Sequence, residues 1–410
     1  MQYSVVNNQF SFEAEQRAGR FLFQVKSKTF MPQLVTLDVS EGVTDMYVEV
    51  TIVPKSTPDI VNAATGGQVK VDTPGLPSAV SITIKPNSFQ DKNGNPVSGN
   101  VNIYTSFADP RKSDGLDAAP GQFTFEDSEG ETRLLKTFGV VTLLAEDTNG
   151  NEVFLSGKAI LKIDASALGI KRGESVFLWS IEASSGEWQK SGTLTYTGSR
   201  RRRRQAPTPG GSYEGETEIP PNVPYLNCDA TILRGRLCSI AVYVYYGGDF
   251  SIPLPGERVT AFIKEDGLFI GRTSGFTNKN GKACLLVGYG LQHIVRLESI
   301  QGVIVHPTHF LPAGFEFTNR VDGFAFTATT PTTQDEYIDG PVFGGRTLTC
   351  HYASIKAYHF ILAKPTIRPS LYGSLSAVEM RPGRDLSWYP NSPADRDVCV
   401  LQVQMRVREN

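Results

Sequence analysis

Every cysteine and every histidine of this chain lies beyond residue 227: Cys228, Cys238, Cys284, Cys350 and Cys399, then His293, His306, His309, His351 and His359. No two cysteines have the C-x-x-C spacing of a zinc knuckle or a thiol redox site, so disulfides between strands are the better use of them. Buried free thiols are the alternative, because free cysteine is among the most buried residue types. An odd count of five leaves one thiol over, either free or bridging to another chain. No stretch approaches the roughly 18 to 20 apolar residues of a membrane-spanning helix. The opening MQYSVVNNQFSF has neither the basic start nor the apolar centre of a secretory signal. No Asn-x-Ser/Thr acceptor with a permitted middle residue occurs, Asn391-Ser392-Pro393 having the wrong order, so N-glycosylation is not expected.

Catalytic signatures are missing as well. There is no G-x-S-x-G elbow, no H-E-x-x-H helix and no G-x-x-x-x-G-K-[ST] phosphate loop. Catalytic residues need not be close in sequence, yet nothing local makes a positive case, and the expectation is a protein that is not an enzyme and carries no cofactor. The nearest thing to a metal set is His306-Pro-Thr-His309 with Cys350 and His351, which a hydrolase could use. Its spacing is not that of a known finger, and Pro307 points to a surface loop, so no metal is expected. Asp91-Lys-Asn93-Gly94-Asn95 and Asp147-Thr-Asn149-Gly150-Asn151 look superficially like the start of a calcium loop. Neither reaches the bidentate glutamate at position 12, and both read better as hairpin turns. Trp179, Trp188 and Trp388 are expected to plug the open end of a sandwich, with ligand binding as the other use of such rings.

Positive charge is concentrated in one place. The formal net charge is −2, and setting aside Arg200 to Arg204 leaves about −7 (−2 − 5). A protein that grips nucleic acid usually spreads positive charge over a face, so nucleic acid is not an expected partner. The run itself, SRRRRRQAPTPGG at 199–211, fits four roles on charge alone: a nucleic-acid patch, a nuclear address, a solvated linker or a place to be cut. Residues 199–224 carry prolines, glycines and charges and almost nothing apolar, so they cannot bury a core and mark a domain boundary. Weaker breaks lie near 54–70 and 330–345.

What fills the rest of the chain is β-forming. Segments such as MYVEVTIV (46–53), SITI (81–84), VNIYTSF (101–107), VVTLLAE (140–146), AILKI (159–163), IAVYVYY (240–246), RVTAFI (258–263), GFAFTAT (323–329) and VCVLQVQMRV (398–407) alternate apolar with polar or lie between turns. That period of two is the mark of half-buried strands. Between them stand Asn93-Gly94, Asn149-Gly150 and Asn280-Gly281, with Glu129-Gly130 and Asp266-Gly267 as weaker cases, all able to take positive φ. No window has the spacing of a three-turn amphipathic helix; the best short helical piece is at 165–169. The fold class is all-β, two or more antiparallel β-sandwich domains joined by a Pro/Gly/Arg-rich linker.

Several of these stretches, in order, resemble the cartilage intermediate layer protein family of secreted matrix proteins. Leu178-Trp179-Ser180-Ile181 followed by Gly186-Glu187-Trp188 resembles the hairpin that closes the family's N-terminal half, which a basic convertase site follows. GRLCSIAVYVYY, GERVTAFIKEDGLFIGRTSGFTNKNGKAC with Thr277 to Cys284, and LTCHYASIKAYHF with LSWYPNSPADRDVCVLQVQM continue the likeness, which covers roughly residues 70–410. The resemblance implies a secreted extracellular-matrix protein that binds matrix components or growth factors. It also implies cutting by a furin-type convertase at Arg201-Arg202-Arg203-Arg204, ahead of Gln205, with an uncut adhesion module as the alternative. The bridges it implies are Cys350 to Cys399 and Cys238 to Cys284, leaving Cys228 as the odd thiol, free or in contact with another chain.

The domains expected on this basis are a partial carboxypeptidase-regulatory-like segment at 1–58, a sandwich at 66–196, and a flexible linker with the cleavage site at 197–224. A second carboxypeptidase-regulatory-like sandwich at 225–330 and a cysteine-containing β segment at 331–410, packed on the domain before it, complete the set. The first piece has too few strands to stand alone, so the sequence is expected to start inside a longer protein. The thrombospondin-type and immunoglobulin modules of the vertebrate members are not found in it.

Overall fold

A computed structural model describes residues 9–15, 19–39, 45–73, 75–130, 132–171, 173–182, 185–197, 211–219, 225–232, 237–246, 253, 255–288, 291–298, 304–305, 324–327, 337–343, 346–351, 358–362, 381–382 and 399–408. The elements ahead of the basic segment are β1 (Gln9–Glu15), β2 (Gly19–Val25), β3 (Gln33–Val39), β4 (Asp45–Ile52), β5 (Asp59–Asn62), β6 (Gly67–Thr73), β7 (Leu76–Ile84), β8 (Phe89–Gln90), β9 (Asn100–Ala108), the one-turn helix α1 (Ser113–Asp117), β10 (Thr124–Glu126), β11 (Thr132–Asp147), β12 (Glu152–Leu155), β13 (Lys158–Asp164), β14 (Val176–Ile181) and β15 (Trp188–Tyr196). Beyond it come β16 (Ser212–Glu218), β17 (Tyr225–Thr231), β18 (Leu237–Tyr246), β19 (Arg258–Glu265), β20 (Leu268–Phe276), β21 (Lys282–Gly288), β22 (Gln292–Glu298), β23 (Ile304–Val305), β24 (Phe324–Thr327), β25 (Tyr337–Phe343), β26 (Arg346–His351), β27 (Tyr358–Leu362), β28 (Arg381–Pro382) and β29 (Cys399–Arg408). The fold is all-β, as the period-two patterning predicts, and each strand segment quoted above from the sequence overlaps an observed strand.

Among the described residues the largest sheet has thirteen strands, with the main order β5-β9-β11-β17-β14-β15-β16-β13-β7-β6. The sheet folds over at β15, which pairs with β14 along most of its length and with β16 at its end. Strands β5, β9, β11, β17 and β14 thereby face β16, β13, β7 and β6 across one apolar core, in which Val69, Ile82, Val101, Val141, Leu161 and Leu178 are each essentially inaccessible to water. The two ends of the sheet meet where β5 turns into β6 through an Asn62–Gly66 bridge.

Strand β11 shows why this sheet is buried on both sides. It runs for 16 residues and is buried almost throughout rather than at every second position. One face enters the core just described; the other, with Leu135 and Val140, enters a second cluster that includes Trp179, Trp188, Tyr225 and Phe262. A near-continuous apolar run is what a strand covered on both faces needs. Its pairing with β17 shifts register between Thr137 and Val140, and Gly139 in the bulge has a φ of 146°. A Cβ there would lie 2.1 Å from Cζ of Phe107, so only glycine fits without moving that ring. Gly139→Ala is expected to lower the unfolding free energy by about 2–3 kcal/mol through overpacking at a strained φ. Urea denaturation reads this directly, and a change under about 0.5 kcal/mol would refute it.

The turn chemistry follows the sequence. Gly94, Gly130, Gly150, Gly267 and Gly281 all have positive φ. Asp147 Oδ1 accepts from the amides of Asn149 and Asn151, each at 2.8 Å, and its Oδ2 accepts from Asn151 Nδ2 at 2.9 Å. Asp91 makes the same three bonds, at 2.8, 2.8 and 3.0 Å, with Asn93 and Asn95. These bonds, chiefly to Asn95 and Asn151, hold both carboxyls below the usual carboxylate range. The two acidic sequences are therefore turn anchors, with their oxygens turned onto their own backbone.

A smaller sandwich follows, built from β20-β19-β22-β24 and β21-β18-β27-β23. It packs against the large sheet through Ile263, Ile270, Leu286 and Leu291 with Leu134 and Ile232. Polar bonds reinforce the junction: Gln122 Nε2 donates to Ser274 O at 2.9 Å, Ser274 N donates to Gln122 Oε1 at 2.8 Å, and Arg272 Nη2 donates to Ala119 O at 3.0 Å. Lys136 forms ion pairs with Glu174 at 2.6 Å and Glu265 at 2.9 Å.

Five expectations need correction. Residues 212–218 of the expected linker form β16, hydrogen-bonded on both edges, because SYEGETE alternates well enough to lie in a sheet once its polar face is turned outward. The expected boundary at 225 is not one, since β17 inserts between β11 and β14 of the first sandwich. The last strand, β29, pairs with β1 and β4 at the other end of the chain rather than packing on the preceding domain, so an N-terminal piece short of strands finds its partner there. Residues 165–169 form a turn capped by Asp164, whose Oδ1 accepts from Ser166 N and Ala167 N; the described helix is α1 instead. Trp179 and Trp188 fill the contact between the large sheet and its neighbours rather than a sandwich end. Trp388 lies outside the described residues.

Candidate functional site

Arg201, Arg202, Arg203, Arg204 and Gln205 lie outside the described residues, but both ends of the segment that carries them are fixed. The strands on either side, β15 and β16, are antiparallel neighbours, with Thr195 opposite Glu214 and Tyr196 opposite Tyr213. Thr197 N donates to Ser212 O at 2.7 Å, and Ala165 N donates to Gly211 O at 3.0 Å. The rings of Tyr196 and Tyr213 meet edge to face with centroids 5.3 Å apart. Tyr213 OH donates to Glu174 O at 2.9 Å, which ties the returning strand to the loop before β14. The basic sequence therefore connects two strands that are paired with each other without it. The returning strand is acidic, and Glu216 pairs with Lys85 and lies 4.0 Å from Lys158. The hydrogen bond from Lys85 holds the Glu216 carboxyl below its usual range.

Strand β17, next in the chain, carries a cluster that sequence patterning missed. Asn227 Nδ2 donates to Asp229 Oδ2 at 2.5 Å, Thr137 Oγ1 donates to Asn227 Oδ1 at 2.7 Å, and Gly139 N donates to Thr137 Oγ1 at 3.1 Å. Asn227 and Asp229 are wholly buried. Burial raises the Asp229 carboxyl well above the usual range, against the pull of Thr137 and Asn227. Two polar residues inside YLNCDAT were the available signal; they face the junction while Leu226, Cys228 and Ala230 enter the main core.

The cysteines follow expectation at Cys228, the odd thiol, and depart from it in their pairing. Cys228 is a free, buried thiol, and burial with the neighbouring Asp229 pushes its pKa up. On an interior strand it cannot reach a second chain, which removes the interchain contact expected of it. Cys284 is disulfide-bonded. In the β18–β21 register Cys238 stands opposite Val287 and Cys284 opposite Ala241, three positions apart. At about 3.3 Å per residue the two are roughly 10 Å apart along the strands, beyond the Cα separation of about 7 Å that a disulfide spans. Register thus rules out the Cys238 to Cys284 bridge and leaves Cys350 or Cys399 for Cys284, which also overturns the expected Cys350 to Cys399 bridge; the side chains of Cys350 and Cys399 lie outside the described residues. Peptide mapping without reduction is expected to recover Cys284 joined to one of those two; a Cys238–Cys284 peptide would overturn the register argument.

Among the described residues there is no group of three or more His, Cys, Asp or Glu that could hold a metal ion. His306 and His309 lie outside them, as does the side chain of His351. No helix among the described residues is long and apolar enough to cross a membrane.

The chain is similar over 98% of its length to human cartilage intermediate layer protein 2, at 23% identity and covering 38% of that protein. It is 25% identical to mouse cartilage intermediate layer protein 1 over 59% of the chain, and 28% identical to the pig protein 1 over 44% of it. The chain is similar to the cartilage intermediate layer proteins. The matched stretches span 18% of the mouse and 29% of the pig protein, so this chain corresponds to well under half of any of these three cartilage intermediate layer proteins. No protein-family model and no solved structure matches it.

Proposed function

We propose that this is a secreted, non-enzymatic extracellular-matrix protein, made as one chain and cut after Arg204 by a furin-type convertase. It would bind matrix components or growth factors through sandwich surfaces. The observation that carries this reading is the similarity, over 98% of this chain, to a cartilage intermediate layer protein. The position of Arg201-Arg202-Arg203-Arg204, which fits R-x-[KR]-R, supports the cut: it falls in a hairpin connection whose legs are paired without it. A protease needs an exposed, extended segment to draw into its cleft, and such connections are where nicking concentrates.

Secretion from cells with an intact convertase is expected to yield a new N-terminus at Gln205, or its cyclised pyroglutamyl form, by mass spectrometry. The double variant Arg201→Ala/Arg204→Ala is expected to emerge as a single chain. A wild-type chain that leaves the cell uncut would favour the uncut adhesion module, and retention in the cytosol would sink the secreted reading altogether.

A further inference from the structure

We propose that the cut after Arg204 does not separate the two halves: the product is a two-chain complex in which the second half stays threaded through the sheets of the first. The cut occurs in nature only if the processing reading above holds, but the association depends on topology alone.

The two strands that follow the basic segment are interior strands of a sheet otherwise built from the first half. Strand β16 lies between β15 and β13, matching β13 over seven positions from Lys158–Glu218 to Asp164–Ser212. Strand β17 lies between β11 and β14, with Leu135 opposite Thr231 on one side and Phe177 opposite Asp229 on the other. An interior strand has both rows of backbone donors and acceptors paired, and its loss leaves two open edges, each a buried row of unsatisfied groups. From Tyr225 to Cys228 the exposure of β17 is 1% or less. Withdrawing it would open both clusters it separates, one through Leu226 and Cys228 and the other through Tyr225. Tyr225 also donates its hydroxyl to Pro32 O at 2.9 Å, on the residue just ahead of β3 in the first half.

A third thread comes from the far end of the chain. Strand β29 is held between β1 and β4, so the second half enters the first at three separate places. None of this is covalent, because all five cysteines follow residue 204 and no disulfide can join the halves. The complex would therefore come apart in detergent without any reductant, yet survive under native conditions.

The test uses the full chain with the site for an unrelated, sequence-specific protease placed within residues 199–210, so that association is measured even if no convertase cuts there. After complete cutting, the two fragments are expected to co-elute in gel filtration at the volume of the uncut protein, and to run as two bands on a denaturing gel without reductant. Isotope-labelled second half added in excess is expected not to exchange into the complex over hours. Fragments that elute apart, aggregate on cutting or exchange freely would overturn the proposal. The cut Leu226→Ala variant is expected to separate at a lower urea concentration than the cut wild type, with the uncut variant still folded; equal midpoints would remove β17 from the account. If the engineered site gives a stable complex while the convertase leaves the wild type intact, the processing reading fails and the association stands.

Discussion

Trp188→Ala is expected to lower the unfolding free energy by about 3–5 kcal/mol, the range for truncating a large aromatic in a core that cannot collapse around the gap. Trp188 is 1% exposed and stacks on Phe123, ring centroids 6.5 Å apart. The cluster it belongs to draws on the large sheet, on β3 through Leu34, and on the smaller sandwich through Phe262. Three elements must move for the cavity to fill, which favours the upper part of the range. The indole Nε1 has no hydrogen-bond partner, so the loss is one of packing alone, and Trp188→Phe should cost well under half as much. Urea unfolding followed by far-ultraviolet circular dichroism measures both. A loss under about 1 kcal/mol for the alanine variant would mean the cluster is not a cooperative part of the fold.

The second large effect concerns acid. His293 is fully buried, and burial depresses its pKa to about 3; its Nε2 accepts from Gly288 N at 3.1 Å. Below about pH 6.5 the unfolded chain protonates this imidazole while the folded one does not, so stability falls as pH falls, by up to about 1.4 kcal/mol per pH unit and on the order of 4–5 kcal/mol by pH 3. Asp229 works in the opposite sense. Its raised pKa means the folded state keeps a proton that the unfolded state loses above about pH 4, so its contribution falls as pH rises. Between about pH 4.5 and 6.5 the two groups oppose each other, and the wild type is expected to depend on pH less steeply there than with His293 acting alone. His293→Gln should leave stability falling with rising pH, and Asp229→Asn should leave it rising by up to about 1.4 kcal/mol per unit. The exposed carboxyls held low, such as those of Asp91 and Asp147, act below this window. Variants with the wild-type slope would show that one or both groups keep their ordinary pKa in the fold.

Strands and turns were legible because each depends on local chemistry: alternation in β13, or an Asn-Gly pair closing β11 onto β12, needs no distant partner to be recognised. What sequence could not give was pairing order. The segment 199–224 read as linker because β16 has few apolar residues; its edge bonds to β13 and β15, with Tyr213 in the core, hold it in place. Strand β17 has clear β character, but its place between β11 and β14 is decided by a slot that exists only in three dimensions. The same holds for the Cys238–Cys284 pairing, which looked reasonable along the chain and fails on a three-position register. Arg258, Arg272 and His293 were invisible as interior residues because buried polar groups are recognised by their partners, and those partners come from other strands.

Strand β1 runs parallel to β29, with Gln9 beside Gln402 and Glu15 beside Arg408. Tension applied through the start of one and the end of the other would load all the backbone bonds of that pair at once, in shear, instead of unzipping them one by one.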